Sequence, residues 1–348
     1  MFNVRNILVF LVVLQAANSE AQVHDLVDDK DHIRGVMESH LTTLDGWQTA
    51  DVLVRYESEG FGLRVDEKGP MKGPDSFSVS IRRKGLIRVR FDFEGKRALI
   101  LNRKEEERRI FNSLDEEVFE PIYWSDDRMV CFDAQRGICV GRLRAGKVHR
   151  VATEVSDVTI ESLLREFAVP NLKAFGTVYS SDLWRTETLT STMRYHMQPE
   201  LMNTISHVGN NRYQVFLRSE PPEGQDSGGF RLYTDWDVVN NVPVKVVNYY
   251  GADPDLVGGT NRPWATETVE WQHVNSNPLP VHSRRSHFSP YKASEYRFKV
   301  DFEQVTDLHW FSFNEEIADA DFDPAVLEDS KKVDELLSEN VFKDKRKK

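Results

Sequence analysis

Three groups of side chains have types and spacings from which chemistry could be built. His273, His282 and His287 are potential metal ligands, because the turn SNPLP lies between the first two and adjacent strands would bring them together. Arg284 and Arg285 stand beside His282 and His287, which favours surface histidines. Asp319, Asp321 and Asp323 (DADFDP) imitate the start of a calcium loop. That loop needs Gly at its sixth position and Glu at its twelfth, whereas Pro324 and Ser330 stand there, so an acidic turn is expected. Glu267 and Glu270 beside Trp271 suggest sugar chemistry only if two carboxylates face each other across a cleft. Any acidic β-protein offers such pairs. There is no GxSxG elbow, no HExxH, no phosphate-binding loop and no dinucleotide fingerprint. The expectation is a chain with no catalytic residues, no cofactor and no metal, and a hydrolase ranks last among its function classes.

Two cysteines, Cys131 and Cys139, flank DAQRG, a stretch of turn composition with Gly at its end. Their even spacing is read as putting both sulfurs on one face. In an oxidising compartment a cross-strand disulfide is then one alternative and two separate thiols the other.

The elements that must position these residues are mostly strands. Phe77, Val79 and Ile81 alternate with Ser78, Ser80 and Arg82, and Ile87, Val89, Phe91 and Phe93 with Arg88, Arg90 and Asp92. Tyr213 to Leu217 and Tyr296 to Phe302 alternate likewise. A period of two with charge on the off-beat gives one buried and one wet face, the mark of antiparallel sheets. Turns are expected at Lys84-Gly85, Glu94-Gly95 and Asn240-Asn241, and loops over Glu59–Pro74, Glu220–Gly229 and Gly251–Pro263. Helices are expected over Asp29–Leu44, Val158–Phe167, Glu200–His207 and Pro324–Asn340. A weak boundary near 168–176 does not break what reads as one continuous sheet.

The chain has 348 residues and a formal net charge of −11. That balance disfavours nucleic acid and anionic membrane surfaces as partners. Arg5 followed by the apolar run Ile7 to Leu14 and a small-residue stretch has the three-part pattern of a signal peptide over residues 1–21. The run is too short for a membrane span, which needs about 20 apolar residues. With no lipid-anchor Cys after it, the expected product is a soluble exported protein with no transmembrane segment after signal removal. Residues 22–323 would form its domain and 324–348 a charged C-terminal extension.

Aromatics crowd the C-terminal half, Trp236, Trp264, Trp271 and Trp310 among them. They fit either a sheet core capped by helices or an open apolar concavity.

Three stretches carry a family likeness: Asp235 to Tyr250 (DWDVVNNVPVKVVNYY), Thr266 to Pro280 (TETVEWQHVNSNPLP) and Tyr296 to Phe322 (YRFKVDFEQVTDLHWFSFNEEIADADF). With the leader, the first amphipathic helix, the meander and the mid-chain helix, they resemble the LolA/LolB-like exported proteins in their long, planctomycete-type form. The resemblance implies an α+β fold, an unclosed antiparallel β-barrel (half-barrel) wrapped around a few helices. It also implies a periplasmic location and an apolar cavity for a lipid or the acyl chain of a lipoprotein. Candidate cavity residues on the apolar strand faces are Phe91, Phe93, Trp236, Trp271, Phe298 and Phe302. Against this non-enzymatic carrier stands an envelope structural or interaction protein that kept the fold and filled its cavity.

Overall fold

In the computed structural model the strands run in chain order, β1 (Thr49–Leu63), the small ribbon β2 (Val65–Asp66) and β3 (Gly69–Pro70), β4 (Ser78–Asp92), β5 (Arg97–Phe111), β6 (Ile122–Asp133), β7 (Ile138–Leu143) and β8 (His149–Arg150). After helix α1 (Ile160–Glu166) come β9 (Met202–His207), β10 (Tyr213–Ser219), β11 (Arg231–Val239), β12 (Val242–Gly251), β13 (Pro263–Val274), β14 (Asn277–His287) and β15 (Phe302–Phe313). Two short helices come last among the described residues, α2 (Ser330–Leu336) and α3 (Asn340–Lys343). The structure describes most of residues 46–343 and scattered helical positions between 31 and 42. Outside it lie 1–30, 71–77, 144–148, 151–154, 177–201, 208–212, 220–230, 252–262, 288–301, 344–348 and a few further positions. The leader and the apolar stripe of the first expected helix therefore fall outside the described residues.

Among the described residues thirteen strands form one sheet in the order β8-β7-β6-β5-β4-β1-β15-β14-β13-β12-β11-β10-β9. Every pairing is antiparallel, and the order ends in two different strands, so the sheet is not closed. The fold class is α+β, an open antiparallel sheet around few helices. Its two runs of hairpins meet at β1 and β15. Asn314 caps that seam: its Oδ1 accepts the Gln48 N–H at 2.9 Å, and its Nδ2 donates to the Gly46 carbonyl.

The sheet curls around α1. Ile160, Leu163 and Leu164 of the helix are buried, and Phe167, Val169, Leu172 and Phe175 continue the same plug. One cluster joins them to Ile100, Val130 and Phe132 from one side of the sheet and to Val238, Val246 and Val269 from the other. Helix α1 starts where it does because Thr159 and Ser162 form a reciprocal capping box, which satisfies amide groups that the first turn leaves unpaired. The segment near 168–176 is thus interior packing. Glu267 holds its end, accepting the Gly176 N–H at 3.2 Å and the Ser283 hydroxyl at 2.8 Å.

The outer face is covered too. Leu53, Leu99, Leu101, Met129 and Cys131 pack against Ile317, Phe322, Val326, Leu327, Val333, Leu337 and Phe342. The stretch from 324, read from its charge as an extension, contributes five of those apolar contacts. Its helix is broken into a 3-10 turn over Pro324–Leu327, α2 and α3, because Asp329 caps a fresh start at α2.

Three local expectations change. Lys84-Gly85 is not a turn, since β4 runs straight through it; Gly85 is there because the Tyr56 ring lies across it, 2.6 Å from where a Cβ would stand. Glu59 to Leu63 belongs to β1. Residues 202–207 form β9, where alternating Thr204 and Ile205 pair with β10. The turn at Glu94-Gly95 is present, and Val239 pairs with Val242 across Asn240-Asn241.

Candidate functional site

Regular register places the inner-face residues of neighbouring strands in rungs, about 7 Å apart along the strands. The last wholly apolar level of the plug carries Val52, Val89, Ile100 and Val130. Above it the inner face turns polar. Asn102 and Arg128 share a rung with Val54 and Ile87, then Tyr56, Gly85, Lys104 and Asp126 share one, and next Ser58, Arg83, Glu106 and Trp124. The strands β15 and β14 continue these rungs with Thr306 and Ser283, then Gln304 and Arg285. The mouth rung holds Gly60, Ile81, Arg108, Ile122, Phe302 and His287.

Charge is concentrated in this belt. Glu106 is buried and takes hydrogen bonds or ion pairs from Arg83 at 2.7 Å, Lys104 at 3.2 Å and Arg108. Desolvation pushes its pKa up, but hydrogen bonds from Arg83, Arg108 and Lys104 outweigh it and hold the carboxyl at about 2. Asp126, equally buried, accepts from Arg128 at 2.6 Å through Oδ2. Its Oδ1 and the Oδ1 of Asn102 are buried with no hydrogen-bond donor. Asn102 Nδ2 donates to the Phe167 carbonyl at 2.6 Å and so ties the belt to the plug. Burial raises the Tyr56 phenol to about 12, with Arg83 opposing and Glu106 adding to the shift.

At the same end lies a polar hollow of about 740 Å³, bounded by outer-face charges together with Ser58, Arg83, Glu106 and Trp124 of the belt. Glu57, Glu59, Arg82, Lys84, Glu105 and Glu303 line it, from four adjacent strands. Most of these charges neutralise each other, as in Lys84 with Glu105 at 2.9 Å and Arg82 with Glu59 at 3.1 Å. Beside it the chain exposes a run of large apolar side chains, Phe119 (57%), Ile122 (52%), Tyr123 (72%) and Trp124 (37%). Strand β7 pairs only with Arg128–Asp133 of β6, so among the described residues no strand covers the outer edge of Ile122–Asp127. FEPIYW was the sequence signal for this rim, apolar residues beside Pro121 with little alternation.

The residues expected to line a cavity are divided. Phe91 is wholly buried and meets Phe93 at a tilt of 51°, centroids 4.8 Å apart, inside the plugged core. Trp271 is partly buried and donates from Nε1 to the Pro243 carbonyl at 2.7 Å. Phe302 reaches the mouth, edge-on to His287 at 5.5 Å. Trp236 lies on β11 with a side chain outside the described set, and Phe298 is outside it altogether.

Cys131 and Cys139 are not disulfide-bonded. The four-residue turn makes Cys131 face Val140 and Cys139 face Phe132, so even spacing across this hairpin puts the sulfurs on opposite faces of the sheet. Desolvation, with Asp133 and Asp323 adding, raises the Cys131 thiol to about 12, and its Sγ donates to the Phe322 carbonyl. Among the described residues no group of His, Cys and carboxylates is arranged to hold a metal ion. His282 instead sits 2.8 Å from Asp307, which also pairs with Arg55. Asp319 and Asp321 pair with Arg97, Arg136 and Arg90, pinning the outer segment, and Asp323 caps the 3-10 turn. No helix among the described residues is long and apolar enough to cross a membrane.

The class defined by this architecture is the open antiparallel half-barrel with its own helical plug. No family model matches the chain, and no curated protein aligns with it. Among solved structures it is similar to a DUF1329 family protein from Desulfovibrio piger, at 11% identity over 85% of this chain and 98% of that one, TM-score 0.28. It is also similar to the COG4313 outer membrane channel from Pseudomonas putida, at 8% identity over 76% and 96%, TM-score 0.21. A third is a beta-barrel-like protein of the DUF1849 domain from Brucella abortus, at 8% identity over 77% and 100%, TM-score 0.17. None superposes closely.

Proposed function

We propose that this chain is a non-enzymatic binding protein of the cell envelope that fills its half-barrel with its own chain and meets a protein partner through the rim at β6. The filled interior supports this over a carrier of acyl chains. A chain entering the depth of the described concavity would have to displace Phe167, Leu172 and Phe175, which already occupy it. The carrying observation is the exposed Ile122, Tyr123 and Trp124 on an edge that no described strand covers. Unpaired edges with apolar side chains are templates for an added strand from another chain. The LolA/LolB-like resemblance, the exported, periplasmic location and the absence of catalysis belong to the same proposal.

The test places a photo-crosslinking amino acid at Tyr123 and, separately, at exposed Phe311 in cells making the full chain. One discrete protein adduct from position 123 alone is expected, and it should disappear when Ile122 is changed to Pro, which cannot donate to an added strand. No adduct at 123 would overturn the partner-docking reading.

A further inference from the structure

The inner belt carries more positive than negative charge, although the whole chain has a formal net charge of −11. Arg83, Lys104, Arg108, Arg128 and Arg285 face it, against Glu106, Asp126 and Glu267. The four cations of β4 to β6 are partly exposed, while both carboxylates among them are buried, at 2% and 3% side-chain exposure. The cationic groups therefore reach the open end and the carboxylates organise them from below. Guanidinium donors exceed what two carboxylates can accept, and such forks match phosphate oxygens.

Two further observations narrow the ligand. The Oδ1 atoms of Asn102 and Asp126 are buried acceptors without a donor, which is costly unless something supplies an N–H or O–H. Ile81, Ile122 and Phe302 of the mouth rung and Trp124 of the rung beneath form an apolar lip, with Lys104 Nζ 5.2 Å from the Trp124 ring.

We propose that this mouth binds an amphiphile head-first, with a phosphate group on Arg83, Lys104, Arg108 and Arg128, a hydroxyl or ammonium of the same head on Asn102 and Asp126, and the first part of its apolar tail against the lip. The plug stays in place, so the tail points out of the half-barrel. This goes beyond the protein docking proposed above and does not rest on it.

Calorimetric titration of the full chain tests this with three probes. They are dihexanoyl-phosphatidylethanolamine below its micelle concentration, water-soluble glycerophosphoethanolamine, and neutral dihexanoylglycerol. The phospholipid is expected to bind, the neutral lipid not. Arg128→Gln and Lys104→Gln should each weaken binding about tenfold, while Arg82→Gln on the outer face should not. Trp124→Ala should weaken the phospholipid and leave the soluble head unchanged. Circular dichroism of each variant separates lost binding from lost fold. Equal affinity for phospholipid and soluble head, indifferent to Trp124→Ala, would overturn the amphiphile and leave a free phosphodiester as the ligand of the same belt. Equal binding of the neutral lipid, an unchanged Arg128→Gln variant, or no heat with any probe would overturn the site.

Discussion

Gly85 shows how one residue is decided by its neighbour across the sheet. A Cβ there would stand 2.6 to 2.8 Å from Cε1, Cζ and Oη of Tyr56, which shares a rung of the belt with Gly85. Gly85→Ala should therefore destabilise by about 1–3 kcal/mol, the usual range for overpacking. In a denaturant series the double change with Tyr56→Ala should cost less than the sum of the two singles. Additive costs would mean the ring moves aside freely. His287 makes a pH-dependent contribution. Desolvation, followed by repulsion from Arg285, lowers its pKa from 6.5 to about 4. The unfolded chain then binds this proton more readily than the folded one, so stability is full above pH 6.5 and falls as pH drops towards 4. His287→Phe should flatten the difference between midpoints measured at pH 7 and pH 4.5. An unchanged difference would show that the imidazole titrates normally.

At the scale of elements, charge along the chain misled in one place and alternation in another. The stretch from 324 to 343 is acidic and basic by turns, yet it carries Val326, Leu327, Val333, Leu337 and Phe342 to the outer face of the sheet. Leu327 has no exposure, so Leu327→Ala should cost about 2–5 kcal/mol. Thermal melts of the full chain check this, and a loss near zero would mean that the segment is not packed. The expected helix at Glu200–His207 became β9 because pairing with β10 outweighs weak local helical preference. In contrast, the mid-chain helix was legible, since Thr159, Ser162 and the spacing of Ile160, Leu163 and Leu164 all agree.

For the molecule as a whole, the seam is the decisive contact. Trp47 and Trp310 meet edge-on at 5.5 Å, and Phe313 lies against both. One core cluster holds residues from β1, β4, β5 and β6 and also from β11 to β15. The two hairpin runs should therefore unfold together, with coincident transitions in far-ultraviolet circular dichroism and tryptophan fluorescence. Two separated transitions would show that each half is stable without the other.

Composition and period alone determined that this chain would be antiparallel and supplied with a short helix at Val158–Phe167. Local alternation encodes which side chains share a face, and capping encodes where a helix begins. Only the tertiary structure decided what fills the concavity and which charges meet at its mouth. Register between strands distant in sequence sets those rungs, bringing Arg83 beside Glu106 and Phe302 beside Gly60. Register likewise turned an even cysteine spacing into two sulfurs on opposite faces, because facing residues depend on turn length as well as on parity. For His282 and His287 the odd interval along β14 already sends the two to opposite faces, His287 inward and His282 outward, where only the tertiary structure supplies its partner Asp307.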